Sequence, residues 1–172
     1  MLFRQTILAA IALILSGCGF QPLYGVHSDG QVIEDLSFVN VAPMADRIGQ
    51  QLHNELERLL HPNGKAPRAR YRLSAELTES KSSLAVKKSA FATRANLKVT
   101  ATYRLQQAYS GEQRFSSSNS ITVSYNIFDS QFATLMAEKD ARKRAIRELA
   151  QEIRIRLAVY LRDPSKSSPG KS

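Results

Sequence analysis

Three runs of alternating residues, set between two stretches of helical period, constrain the fold of this 172-residue chain more than any other feature. In the first run Tyr71, Leu73, Ala75 and Leu77 alternate with Arg72, Ser74, Glu76 and Thr78. The second sets Leu97, Val99, Ala101, Tyr103 and Leu105 against Asn96, Lys98, Thr100, Thr102 and Arg104. The third, beginning near Arg114, sets Ile121, Val123 and Tyr125 against Thr122 and Ser124. A period of two puts one set of side chains in a core and the other in water, so each run reads as a strand with one wet face. Ser110-Gly111-Glu112 reads as a hairpin turn, which makes the second and third runs antiparallel neighbours. Leu84 and Val86 extend the first strand, so the first two runs are expected to project beyond the core as a long hairpin with a polar, basic tip.

A sheet with one apolar face needs a cover, and the flanking segments supply it. Val32 to Val41 has strand character, with Leu36 and Phe38 on one face, and Pro43 ends it. From about Ala45, Ile48, Leu52, Leu56 and Leu59/Leu60 recur at helical spacing. Asp46 falls in the expected first turn, and His61-Pro62-Asn63-Gly64 stops the helix. A second, longer helix is predicted from about Gln131 to Leu161, capped by Asp129 or Ser130 and stopped by Asp163-Pro164. Its i+4 row is Ala133, Ala137, Ala141, Ala145, Leu149, Ile153, Leu157 and Leu161, flanked by Phe132, Met136, Ile146 and Ala150. The opposite face carries Lys139, Arg142, Lys143, Arg147 and Arg154, a solvated or partner-facing surface. The expected fold is α+β, a two-layer sandwich of order β-α-β-β-β-α with both helices on one face of a mostly antiparallel sheet. It occupies residues 31–163 as a single domain, and 164–172 read as a disordered tail.

The chain opens with a different kind of signal. Residues 1–17 combine Arg4, an apolar run from Ile7 to Leu15 and small residues at the end, the pattern of a secretory signal peptide. The apolar run is shorter than the about 20 residues a spanning helix needs. Leu15-Ser16-Gly17-Cys18 resembles the bacterial lipoprotein processing box, which implies a lipidated Cys18 and a tether over 18–30. The alternative is an ordinary signal followed by a free thiol. As the only cysteine in the chain, Cys18 leaves no internal disulfide. The sequence holds 24 Lys+Arg against 15 Asp+Glu, and loss of Arg4 with the signal leaves +8. Such an excess points to an anionic partner, and export argues against nucleic acid and for an anionic lipid or an acidic protein.

The residue types that carry catalysis do not assemble into a motif. There is no Gly-rich phosphate loop, no Gly-x-Ser-x-Gly elbow and no paired metal-ligand spacing, so no enzyme, metal or cofactor is expected. His27, His53 and His61 are scattered and read as surface or helix-end residues, and Glu55 and Glu57 as the wet face of the first helix. The hairpin tip holds the candidate site. Lys87, Lys88 and Arg94, with Phe91 between them, suit a phosphorylated amphiphile, because cations hold phosphate while an aromatic meets acyl chain or sugar.

Cys18-Gly19-Phe20-Gln21-Pro22-Leu23-Tyr24 resembles the start of the LptE family of lipopolysaccharide-assembly lipoproteins. The likeness continues in Ser130-Gln131-Phe132-Ala133-Thr134, in Glu138, Asp140, Ala141, Arg144 and Ala145, and in Leu149, Ala150, Ile153, Arg156 and Leu157. It implies a non-enzymatic lipoprotein of the outer membrane, anchored on the periplasmic side. There it would plug and help assemble a large β-barrel, LptD, and bind lipopolysaccharide during its insertion into the outer leaflet. Matched by position in the fold, the family's glycolipid contacts fall on Lys87, Lys88 and Arg94. The alternative is a lipoprotein subunit of another envelope lipid-transport complex.

Overall fold

A computed structural model describes residues 35–86 and 92–162. The signal, Cys18, the tether, Lys87, Lys88, Phe91 and the tail after 163 lie outside the described residues. The elements are β1 (Val39–Val41), α1 (Arg47–Leu60), β2 (Tyr71–Val86), β3 (Ala92–Gln107), β4 (Gln113–Asn126) and α2 (Gln131–Arg162), and the strands form one sheet in the order β1-β2-β3-β4. β1 runs parallel to β2, a pairing that requires a crossover, and α1 is that crossover. The other two pairings are antiparallel, and the turn at Gly111, whose φ of 69° suits glycine, joins β3 to β4.

The first strand is shorter than its alternation suggests. Residues 35–37 form a helical turn, closed by the Phe38 amide donating to the Asp35 carbonyl at 3.3 Å, and the strand starts only at Val39. Leu36 still reaches the core, but from that turn, and Val39 and Val41 are the buried pair of the strand. Asp46 is the N-cap of α1 rather than a first-turn residue, and its carboxylate accepts from the Gly49 amide. A Cβ at Gly49 would sit 2.7 Å from Met44 Cβ and 2.8 Å from Asp46 Oδ1, so this position requires glycine for want of space.

Both helices cover the same face. Leu52, Leu56 and Leu60 of α1 and Ala141, Ala145, Leu149, Ile153 and Leu157 of α2 are buried against Leu73, Leu97, Val99, Ala101, Tyr103 and Leu105. Each fully buried leucine contributes about 1.5–3 kcal/mol through removal from water, so these two stripes and the β3 face dominate the stability. Tyr103 lies in the middle of this core. Its hydroxyl donates to Asn119 Oδ1 at 2.8 Å, and burial pushes its ionisation upward. At the turn end Phe115 stacks on Tyr160 with ring centroids 5.0 Å apart.

The segments on either side of α1 are held by its histidines and a carboxylate. His61 caps the helix, its Nε2 lies 2.9 Å from the Val39 carbonyl and its Nδ1 3.2 Å from Glu57 Oε2, so its ring ties α1 to the edge of β1. His53 Nδ1 lies 3.2 Å from the Ala42 carbonyl. Burial raises the Glu57 carboxyl, but the hydrogen bond from Lys65 and the nearby His61 and Lys65 charges outweigh it and leave it below the ordinary carboxylate range. Glu57 therefore packs as an anchor, whereas Glu55 pairs with Arg58 at 2.8 Å on the outer side.

From Arg72 to Ser82 of β2, Arg94 to Arg104 of β3 and Arg114 to Asn126 of β4, the sheet's other face is polar. Ser116, Ser118, Ser120, Thr122 and Ser124 of β4 lie on it beside Lys98, Thr100, Thr102 and Arg104 of β3. Hydroxyl and amide groups bond across the strands, Thr102 with Ser118 at 3.3 Å and Ser124 to Asn96 at 2.6 Å.

Candidate functional site

Length sets the geometry of the hairpin end. At about 3.3 Å per residue, β2 and β3 with their 16 residues each run for about 50 Å. At about 1.5 Å per residue the 32 residues of α2 match that length, while the 14 residues of α1 reach about 21 Å. The sandwich therefore has two helices at the β1 end and one at the hairpin end. β4 accompanies the hairpin as far as the pair Arg94 and Asn126, so only the last residues of the β2–β3 pair extend beyond the three-stranded sheet.

Where α1 runs out, charge replaces apolar packing. Continuing the period of β2 past Leu77 puts Glu79 and Lys81 on the helix-facing side, and the first half of α2 answers with Glu138 and Arg142. Arg142 grips Glu79 with two hydrogen bonds, Nε to Oε1 at 2.6 Å and Nη2 to Oε2 at 3.1 Å, and its Nη2 also donates to Glu138 at 2.8 Å. Lys81 closes the set on Glu138 at 2.6 Å. The hydrogen bonds that Arg142 donates to Glu79 raise its ionisation. Burial pushes the Glu138 carboxyl up, but the bonds from Lys81 and Arg142 overcome it and hold it below the ordinary carboxylate range. Arg142 is thus a half-buried strut, not the solvated cation its place in a basic helix face suggests.

Other expectations for α2 divide in the same way. Ser130 supplies the cap, its Oγ accepting from the Ala133 amide at 3.4 Å. Ala141 onward is core, as the stripe implies, but Phe132 is 71% exposed and Met136 39%, because α1 does not cover them. Of the three cations placed at the hairpin tip, Arg94 is described. It is exposed on β3 opposite Leu84 and Asn126, at the end of the sheet where β2 and β3 meet through the pair Val86 and Ala92. Lys98 and Arg104 follow it along the same polar face. No helix among the described residues is long and apolar enough to cross a membrane.

A family model described as LptE, lipopolysaccharide-assembly, matches residues 33–157, which take in every strand, α1, and α2 as far as Leu157. The chain belongs to the LptE family. Three solved structures share the architecture. A protein described as a lipoprotein from Caulobacter crescentus CB15 has a TM-score of 0.65 and 23% identity, covering 78% of this chain and 98% of that one. A minor lipoprotein from Acinetobacter baumannii has a TM-score of 0.55 and 20% identity over 70% and 88% of the two chains. An uncharacterized lipoprotein B from Nitrosomonas europaea has a TM-score of 0.57 and 16% identity over 78% and 88%. At these identities the likeness is one of fold. No curated protein matches significantly.

Proposed function

We propose that the protein is anchored through lipid on Cys18 to the periplasmic side of the outer membrane. There it plugs and helps assemble an LptD-type β-barrel and binds lipopolysaccharide during insertion into the outer leaflet, without catalysis. In this reading residues 1–17 are removed on export, 18–30 tether the single domain 31–163, and Lys87, Lys88 and Arg94 take the phosphorylated glycolipid. The observation that carries it is the family match over 33–157. The polar face agrees, since barrel interiors are polar and a plug needs a hydroxyl-rich surface rather than an apolar one.

Copurification from detergent-solubilised outer membrane tests the barrel partner: a stoichiometric β-barrel protein is the expected companion. Recovery of a different lipid-transport complex, with no barrel, would overturn the assignment. For the hairpin, reversing the charges of Lys87, Lys88 and Arg94 should weaken lipopolysaccharide binding by tenfold or more while the barrel complex persists. Unchanged glycolipid binding would remove the site.

A further inference from the structure

The two edges of the sheet are protected differently. On one side β1 is three residues long, and past Leu73 the β2 edge carries Glu76, Glu79 and Lys81. Charge and shortness are common means of keeping a sheet edge from pairing with another chain. On the other side the sheet ends on β4, whose 14 residues pair with β3 alone among the described residues. From Ser116 to Asn126 this strand holds no charged residue and no proline. Its register with β3 is regular there, and the shift at Leu105/Gln106 lies beside the turn. Alternate amides and carbonyls of β4 therefore point outward along a straight edge with none of the usual protection.

That bare edge is also complementary to itself. Phe115, Val123 and Tyr125 are the buried residues of β4, so its odd-numbered side chains face the helices and its even-numbered ones the polar side. An added strand must keep that parity, because a slip of one residue reverses both faces. An antiparallel copy centred on Ser120 keeps it. Phe115 then falls opposite Tyr125, Ser116 opposite Ser124 and Ser118 opposite Thr122, while Arg114 meets Asn126 rather than a second cation. Beside this edge α2 carries Ile155 and Val159, 52% and 57% exposed. By helical spacing they share a face with Glu152 and Arg156, whose charges act on Tyr103, the β3 partner of Ser117.

We infer that β4 is a strand-addition site whose occupant is a second copy of this chain, paired antiparallel about a two-fold axis through the two Ser120 residues. The axis stands perpendicular to the sheet, so two four-stranded sheets become one, with all helices on one face and Ile155 and Val159 above the seam. The overlap from Phe115 to Tyr125 forms about ten backbone hydrogen bonds, a number typical of a specific interface. This is a state of the free lipoprotein, and dilution undoes it by mass action. An extended segment of a different protein is the competing occupant. The self-complementary register favours the second copy, and so does the lack of charge, which lets two basic chains approach at this edge.

Register-specific cross-linking tests this on the full lipoprotein in neutral detergent. The parent chain is the baseline, since the lipid proposed on Cys18 leaves it no free thiol. Residues directly opposite have Cα atoms about 4.5–5.5 Å apart, within disulfide reach, whereas residues four positions out of register lie about 14 Å apart. In a glutathione buffer S120C should therefore cross-link to itself, and S118C mixed with T122C should cross-link at least tenfold more than either alone. Light scattering should show S118E/T122E as a monomer with the circular dichroism of the parent, because like charges then face each other across the seam. S118K/T122E, which sets opposite charges there, should restore the dimer. Equal self-cross-linking of all three cysteine variants, as chance contact in a shared micelle gives, would overturn the inference. So would a monomer at every concentration, or S120C captured by a barrel protein in place of its own copy.

Discussion

The two halves of α2 belong to one helix and do different things. Its second half, with Leu149, Ile153, Leu157 and Tyr160 buried, closes a core in which helix faces helix and both face the sheet. Its first half packs Ala137 against the core, holds Arg142 between two carboxylates, and leaves Phe132, Leu135 and Met136 in water. The difference comes from α1, which is 14 residues long against 32 and covers one end only. A short helix thus divides the domain into an end that carries stability and an end that keeps surface available. The hairpin end of the sheet and Arg94 both lie at the second end.

That division can be broken by mutation. Leu149→Ala at the closed end should cost about 2–5 kcal/mol of unfolding free energy in a urea titration, through lost transfer energy and a residual cavity. Leu135→Ala at the open end should change it by no more than about 0.5 kcal/mol. Comparable losses at the two positions would erase the distinction. Gly49→Ala should destabilise by about 1–3 kcal/mol despite alanine's better helix propensity, because the added methyl meets Met44 Cβ at 2.7 Å. A stabilised variant would show that the N-cap of α1 has room to adjust.

The ionic network at the open end is worth less. Arg142→Ala leaves Glu79 and Glu138 facing each other without their shared cation, and the expected loss is about 1–2 kcal/mol because solvent reaches both partners. Its acid response is a finer test. Glu138 and Glu57 are held below the ordinary carboxylate range, so the unfolded chain takes up protons first as pH falls. Their contribution is complete above that ordinary range and is lost as pH drops through the lower folded values. Urea midpoints should therefore hold from neutral pH down to the ordinary carboxylate range and decline below it. Glu138→Gln should show a shallower acid decline than the parent, and an identical decline would remove Glu138 from the linkage.

Much of this architecture is legible in the residues. Leu52, Leu56 and Leu60, the alternation along β3 and the Ala141-to-Leu157 stripe give their elements directly, because one periodic face of each is buried. What escapes depends on how separate elements meet. Arg142 reads as a solvated cation because its partner Glu79 lies 63 residues away on another element. The clue was the continuation of the β2 alternation, which sets Glu79 and Lys81 on the helix side. Phe132 and Met136 belong to a helical stripe, yet a stripe says nothing about where the covering helix ends. Leu36 and Phe38 alternate as a strand would, but the bond from the Phe38 amide to Asp35 makes a turn of that segment. Of the proposed glycolipid cations, Arg94 can be located on the polar face, while Lys87 and Lys88 lie outside the described residues.

Hydrogen exchange, read by mass spectrometry on the free lipoprotein and on the complex copurified from outer membrane, tests the division of labour most directly. In the free protein the amides from Ala145 to Tyr160 should exchange only through global unfolding, and those from Ala133 to Asp140 several orders of magnitude faster. In the complex, protection should rise along the β4 face, at the hairpin end and in the first half of α2, with the closed end unchanged. New protection confined to the closed end, or none anywhere, would contradict the account.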